Sequence, residues 1–242
     1  MAGIAPARPI ASTPKVQNKH NTYVIVHGAW GGGWDWKHVD QLLTADGNTV
    51  YRPTLSGLGE HNNINSTNFD LDTHIQDVVN VIEWENLHDV VLVGHSYGGM
   101  VITGVADRIP DRIKCLIYLN ALLPENGECA KDLSPDKSSK RLEDGFYVPF
   151  WVKPGTPPPH DIPMPEGTFD EPITLTNQAV AGKIPTTYIL AVAHGKKPEQ
   201  EGFYRFYERA QHRGWHMVLM EGDHNVQRTH PQELVNLFEQ AP

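Results

Sequence analysis

The feature that most constrains this chain is residues 90–99, which read Val-Val-Leu-Val-Gly-His-Ser-Tyr-Gly-Gly. Four consecutive apolar β-formers lead into Gly-x-Ser-x-Gly. Val101, Ile102, Val105 and Ala106 then recur at helical spacing over residues 100–109. Strand, sharp turn and helix therefore follow one another directly, with Ser96 at the apex. Gly94 and Gly98 lack the side chains that would keep strand and helix apart. Such a corner aims the hydroxyl of Ser96 away from the sheet, while the helix turns its first N–H groups toward the same point. A flexible surface loop can carry Gly-x-Ser-x-Gly by chance, but the flanking strand and helix argue for a nucleophile beside a pocket that accepts negative charge.

The rest of the chain supplies a sheet for that corner. Residues 22–27 form a β-rich run, followed by the glycine-rich residues 28–33 and a helical pattern over 34–45. A strand is expected over 48–55, a helix over 70–84 with Leu71, Ile75, Val78, Val79 and Ile82 on one face, and a buried strand within 112–123. Beyond a textural break, residues 185–192 and 215–220 read as strands and residues 199–212 and 231–240 as helices, with Phe203 among the apolar positions of the first helix. Alternating strands and helices predict an α/β fold: a mostly parallel sheet of about six strands flanked by helices. Residues 28–33 lack both the lysine of a P-loop and the spacing of a dinucleotide fingerprint, which argues against a nucleotide cofactor.

At 242 residues the chain suits one domain, expected over residues 22–242, with a loose tail over 1–21. Residues 124–182 break the alternation. They are charged at first, then aromatic at Phe146, Tyr147, Phe150 and Trp151, then proline-dense. A long aperiodic insertion in a compact domain is usually functional, and its aromatics predict a cap over the site rather than a disordered excursion. A formal charge of −9, from 20 basic and 29 acidic residues, argues against nucleic acid or an anionic membrane as partner. Only Cys115 and Cys129 are available for disulfides, no apolar run is long enough to span a bilayer, and residues 1–20 contain no hydrophobic signal core. A cytoplasmic protein is the expectation.

In an open parallel sheet, ligands collect at the carboxyl ends of the strands. The loops at residues 28–33, 94–98 and 222–224 all leave such ends. A serine hydroxyl needs a base within hydrogen-bond reach, and His224, among the 13 histidines, stands where it can serve. No His-Glu-x-x-His or other close ligand set points to a metal, and His160-Asp161 lies in a proline-rich loop.

The segments His27-Gly28-Ala29-Trp30, Gly94-His95-Ser96-Tyr97-Gly98-Gly99 and Gly222-Asp223-His224, with Pro231 following, resemble those of the α/β-hydrolase superfamily. Within it the chain looks most like the group of plant methylesterases, hydroxynitrile lyases and bacterial pyrethroid-type carboxylesterases, from about Tyr23 onward and least across the cap. The resemblance implies a cofactor-independent Ser-His-acid hydrolase of carboxylic esters working through an acyl-enzyme. Ser96 would be nucleophile, His224 base, and the amides of Ala29 and Tyr97 the oxyanion hole, with His27 orienting its loop. Trp30, Phe146, Tyr147, Phe150 and Trp151 would bind a small apolar or aromatic ester, the enzyme acting as monomer or homodimer.

The chain departs from that pattern in two respects. Hydroxynitrile lyases of the group carry lysine after the catalytic histidine and threonine in the first loop, whereas this chain has Asn225 and Gly28. That favours ester hydrolysis over cyanohydrin cleavage. The family's acid aligns with His194, which cannot supply a permanent anion. Either His194 accepts the distal proton of His224 in a Ser-His-His arrangement, or a group near the end of the preceding sheet strand does so (Asn120, Glu125 or Glu128), or the triad is degenerate. Losing the orienting carboxylate costs up to ~10⁴ in rate. A catalytically weak small-molecule binding protein and a lyase are therefore the competing expectations.

Overall fold

The computed structural model describes residues 20–134 and 141–241. Most of the expected N-terminal tail and a short part of the insertion lie outside them. In chain order the first half contains β1 (Thr22–Val26), α1 (Lys37–Ala45), β2 (Thr49–Tyr51), α2 (Leu71–Trp84), β3 (Val90–His95), α3 (Gly98–Arg108) and β4 (Ile113–Leu119). The insertion holds α4 (Ala130–Leu133), β5 (Arg141–Glu143), β6 (Phe146–Val148), β7 (Met164–Pro165), α5 (Gly167–Asp170) and α6 (Gln178–Ala181). The alternation resumes with β8 (Thr186–Val192), α7 (Tyr204–His212), β9 (His216–Glu221), α8 (Val226–Thr229) and α9 (Pro231–Glu239).

Six strands form one parallel sheet in the order β2-β1-β3-β4-β8-β9. The central strands are continuous apolar runs because both faces are covered. On one face Ile75, Val78 and Ile82 of α2, Val101 and Val105 of α3, and Phe206 of α7 pack on the sheet. On the other, Val39 and Leu43 of α1 meet Leu234, Val235 and Phe238 of α9. Helix α2 starts where its sequence says it should. Asp70 caps α2 by accepting from the Thr73 amide at 2.8 Å, and the side chain of Thr73 answers the Asp70 amide in a capping box.

Several features differ from the sequence reading, among them the helix expected over 199–212, which forms α7 only from Tyr204. The strand expected over 48–55 pairs only at Thr49–Tyr51, because Pro53 has no N–H to give a ladder and the chain leaves the sheet there. The helix expected from residue 34 begins with a tight 3₁₀ turn at Gly33–Trp36 before α1. The insertion is more regular than its composition suggests: β5, β6 and β7 make a small antiparallel sheet in that order. This cap is tied to the loop after β1. The indole N–H of Trp30 donates to the Tyr147 carbonyl at 2.9 Å, and the Ile162 amide donates to the Trp30 carbonyl at 2.9 Å.

Candidate active site

Ser96 sits between the end of β3 and the start of α3 with φ at 54°, in the left-handed region that a non-glycine residue adopts only when its surroundings impose it. The surroundings are the flanking glycines. A Cβ on Gly94 would lie 2.7 Å from the Gly98 carbonyl oxygen, and one on Gly98 would lie 2.6 Å from the Val26 carbonyl oxygen. The corner is locked by backbone bonds: the Ser96 amide donates to the Leu119 carbonyl at 3.2 Å, and the Ser96 carbonyl accepts from Leu122 at 2.9 Å and Gly99 at 3.1 Å. The side chain of Ser96 is half-buried and lines a cavity of about 340 Å³.

His224, on the loop between β9 and α8, comes to the same place. Its Nε2 lies 3.0 Å from Ser96 Oγ, the separation at which the serine hydroxyl donates to the imidazole. Burial, helped by the neighbouring His95, lowers the pKa of His224 to about 3, so the ring is neutral and able to accept a proton.

The histidines around this pair are structural. His27 Nδ1–H donates to the Gly28 carbonyl at 2.7 Å and its Nε2 accepts from the Leu55 amide at 3.1 Å, so both ring nitrogens hold the loop after β1. Burial lowers its pKa to about 4. His95 donates from Nε2 to the His224 carbonyl at 2.8 Å, fixing the backbone of the base rather than its ring nitrogens. His74 donates to the Ser56 carbonyl at 3.0 Å and faces the Tyr97 hydroxyl at 3.1 Å. That contact anchors Tyr97, whose amide follows the nucleophile. Ala29 lines the cavity beside Gly28, and a Cβ on Gly28 would stand 3.0 Å from Ser96 Cβ. The first loop thus runs directly against the nucleophile.

The structure does not bring the acid-slot residue to the base. His194 points into solvent, with a side chain 91% exposed, and its Nδ1 lies 2.8 Å from Glu221 Oε1. Gly195, at φ 79°, turns the loop there. The other candidates are also engaged elsewhere. Asn120 Oδ1 accepts from the Ala191 amide at 2.8 Å, and Glu125 and Glu128 pair with Arg213 and Arg209 at 2.6 Å each. Among the described residues, the buried Nδ1 of His224 has no hydrogen-bond partner.

Of the aromatic residues expected to bind substrate, Trp30 and Trp151 line the cavity, edge to face at 5.1 Å between ring centres. Phe146, Tyr147 and Phe150 do not. Tyr147 turns into the cap core, against Phe169 and with its hydroxyl 3.1 Å from Asp170, and Phe150 faces solvent. The sequence reading missed a polar wall. Arg228 is paired with Asp35 and lies 4.0 Å from Asp161, which accepts the Trp151 indole N–H at 2.8 Å. All three line the cavity with Asn225. Asp161 was visible only as part of His160-Asp161 in a proline-rich loop, and no local spacing connects it to residues 35 or 228.

Comparison with known proteins bears on the family and the fold. The family model described as alpha/beta hydrolase family matches residues 23–237. A carbendazim hydrolyzing esterase from Nocardioides sp. (strain SG-4G) is 36% identical over 236 residues, covering 88% of this chain and 96% of that protein. Methylesterase 17 of Arabidopsis thaliana is 30% identical over 161 residues, 63% of this chain and 56% of that one. Among solved structures, an extracellular alpha/beta-hydrolase from a Paenibacillus species superposes with a TM-score of 0.72 at 25% identity, covering 91% of this chain and 98% of that one. A pyrethroid hydrolase superposes with a TM-score of 0.74 at 20% identity over 92% and 97% of the two chains, a likeness of fold.

Proposed function

The chain belongs to the alpha/beta hydrolase family, and from that premise we propose that it hydrolyses small carboxylic esters through an acyl-enzyme on Ser96. The observation that carries the reading is the 3.0 Å approach of Ser96 Oγ to His224 Nε2 at the wall of the cavity. Ser96 Oγ attacks the acyl carbon as its proton passes to His224 Nε2. The amides of Ala29 and Tyr97 receive the oxyanion, each such donor being worth about 3 kcal/mol in the transition state. His224 then gives the proton to the departing alcohol. Water, deprotonated by His224, attacks the acyl carbon, and the acid product leaves with Ser96 restored.

Trp30 and Trp151 favour an aromatic or apolar group beside the ester, and the charged wall of Asp35, Asp161 and Arg228 favours a polar group on the same ligand. Carbendazim is the specific substrate to test, since the Nocardioides relative is named for hydrolysing it. Among the described residues no helix is long and apolar enough to cross a membrane. With a net charge of −9 and buried thiols at Cys115 and Cys129, a cytoplasmic enzyme that acts on small molecules without nucleic acid, as monomer or homodimer, is the reading adopted.

The test is hydrolysis of short nitrophenyl esters and of carbendazim by the wild type and by His224→Ala. A loss of about 10³-fold or more in kcat for the variant is expected. Equal rates would refute the assignment. The unpartnered Nδ1 of His224 favours one second reading, a ligand-binding protein of this fold with slow turnover. That reading requires ligand-dependent thermal stabilisation together with negligible wild-type hydrolysis. Gly28 disfavours a lyase, because it supplies no side-chain hydroxyl where lyases of the group carry threonine, and even a Cβ there would lie 3.0 Å from Ser96 Cβ and 3.1 Å from His95 Nδ1.

A further inference from the structure

Phe203 lies outside the substrate cavity yet touches the base. Its ring stacks on His224 with centres 4.8 Å apart and planes within 12°. A second ring, that of His95, lies 4.7 Å from His224 at 36°. His224 therefore has two aromatic rings against it and, among the described residues, no hydrogen-bond partner at its distal nitrogen.

The route by which Phe203 arrives matters. The sequence pattern puts it on the apolar face of a helix, but it is the residue just before α7, with φ −93° and ψ 0°. The loop that delivers it begins at Ala193, whose amide donates to Glu201 Oε1 at 2.9 Å, and closes with the Tyr204 amide on the Glu201 carbonyl at 3.0 Å. This is the segment in which the resemblance puts the acid. Here it brings an aromatic face to the imidazole instead.

We propose that Phe203 is a positioning residue for the hydrolysis, clamping the His224 ring in the plane that directs Nε2 at Ser96. The inference rests on the Ser96–His224 reading of the function. A carboxylate at Nδ1 ordinarily fixes ring orientation, fixes the tautomer and stabilises the imidazolium. Stacking performs the first of these by restricting rotation about the Cβ–Cγ bond. As the Ser96 proton reaches Nε2 and the ring becomes cationic, the π face of Phe203 attracts the charge and performs part of the third. The second is left to the intrinsic balance of the two tautomers, which makes turnover slower than in an acid-bearing triad.

The test compares Phe203→Leu, Phe203→Ala and Phe203→Tyr in the full-length protein. Because Phe203 does not line the cavity, the expected loss falls on kcat: about 10-fold for Phe203→Leu, which keeps bulk without a π face, and about 100-fold for Phe203→Ala, with KM within about threefold. Phe203→Tyr is expected to keep kcat within about threefold. Ring-proton shifts of His224, followed by NMR, report the stacking whether or not the wild type turns over ester. Upfield-shifted His224 signals that move downfield in Phe203→Leu support the clamp, the His95 ring remaining in place. Unshifted His224 signals in the wild type, or a folded Phe203→Leu with unchanged kcat, overturn it. A wild type that shows the shifted signals but no Ser96-dependent hydrolysis supports the clamp and refutes the esterase reading alone.

Discussion

The two members of the proposed catalytic pair are built in opposite ways. Ser96 is held by its immediate neighbours: two glycines that a methyl group would push into carbonyl oxygens, a left-handed φ, and backbone bonds to Leu119, Leu122 and Gly99. His224 is held by residues remote in sequence, through the rings of Phe203 and His95 and the bond from His95 to its carbonyl. The nucleophile's geometry is therefore set by short-range sterics and the base's by tertiary packing. The first tolerates almost no change; the second tolerates loss of a family feature, since a ring has taken over part of the work of a carboxylate.

The contrast breaks most sharply at the corner. Gly98→Ala places a Cβ against the Val26 carbonyl, 2.6 Å away, and overpacking of this kind costs about 1–3 kcal/mol. Thermal melts should show Tm lower by several degrees. Even a small displacement of Ser96 should cut kcat by about 100-fold, and a variant with wild-type Tm and kcat would remove the claim that the corner is sterically fixed.

The next effect is in pH. His27, His74 and His95 have pKa values lowered by burial to about 4, and His224 to about 3. The unfolded chain takes up protons at these residues near pH 6.5 while the folded chain does not. The stability they contribute is complete above pH 6.5 and declines as pH falls toward 4. Urea melts at pH 7.5 and pH 5.0 should show a lower midpoint at the acid value. Over that same range the base stays neutral, so kcat/KM of the folded enzyme should remain level. An acid limb with a midpoint between 6 and 7 would mean that His224 has a partner favouring its charged form.

The smallest effect belongs to the position that resemblance marks for the acid. With its ring in solvent and its Nδ1 on Glu221, His194 should be replaceable by Ala with less than a twofold change in kcat, measured by steady-state kinetics. A tenfold loss would put His194 back in the proton path.

The same contrast separates what could be read from the chain from what could not. The runs at β1, β3, β4 and β8 announce buried parallel strands because period and composition are local properties. Ser96 and His224 stand out as candidates because each follows a strand at its carboxyl end, β3 for the serine and β9 for the histidine. The absent acid partner could not be settled in advance, since an aligned position says where a residue falls along the chain and not which way Gly195 turns it. The cap failed for a related reason. An aromatic cluster reads as a substrate wall, but Tyr147 was drawn into the cap's own core by Phe169 and Asp170, leaving Trp30 and Trp151 at the cavity. The wall of Asp35, Asp161 and Arg228 joins the 3₁₀ turn before α1, the cap and α8, and no local pattern encodes it.

The most direct measurement is active-site labelling by a fluorophosphonate, with the modified peptide mapped by mass spectrometry. A reachable hydroxyl activated by His224 should give one adduct on Ser96, lost in Ser96→Ala together with about 10⁴-fold or more of the esterase rate. An unmodified Ser96 in the folded protein, or ester hydrolysis that survives in Ser96→Ala, would contradict the assignment of nucleophile and base.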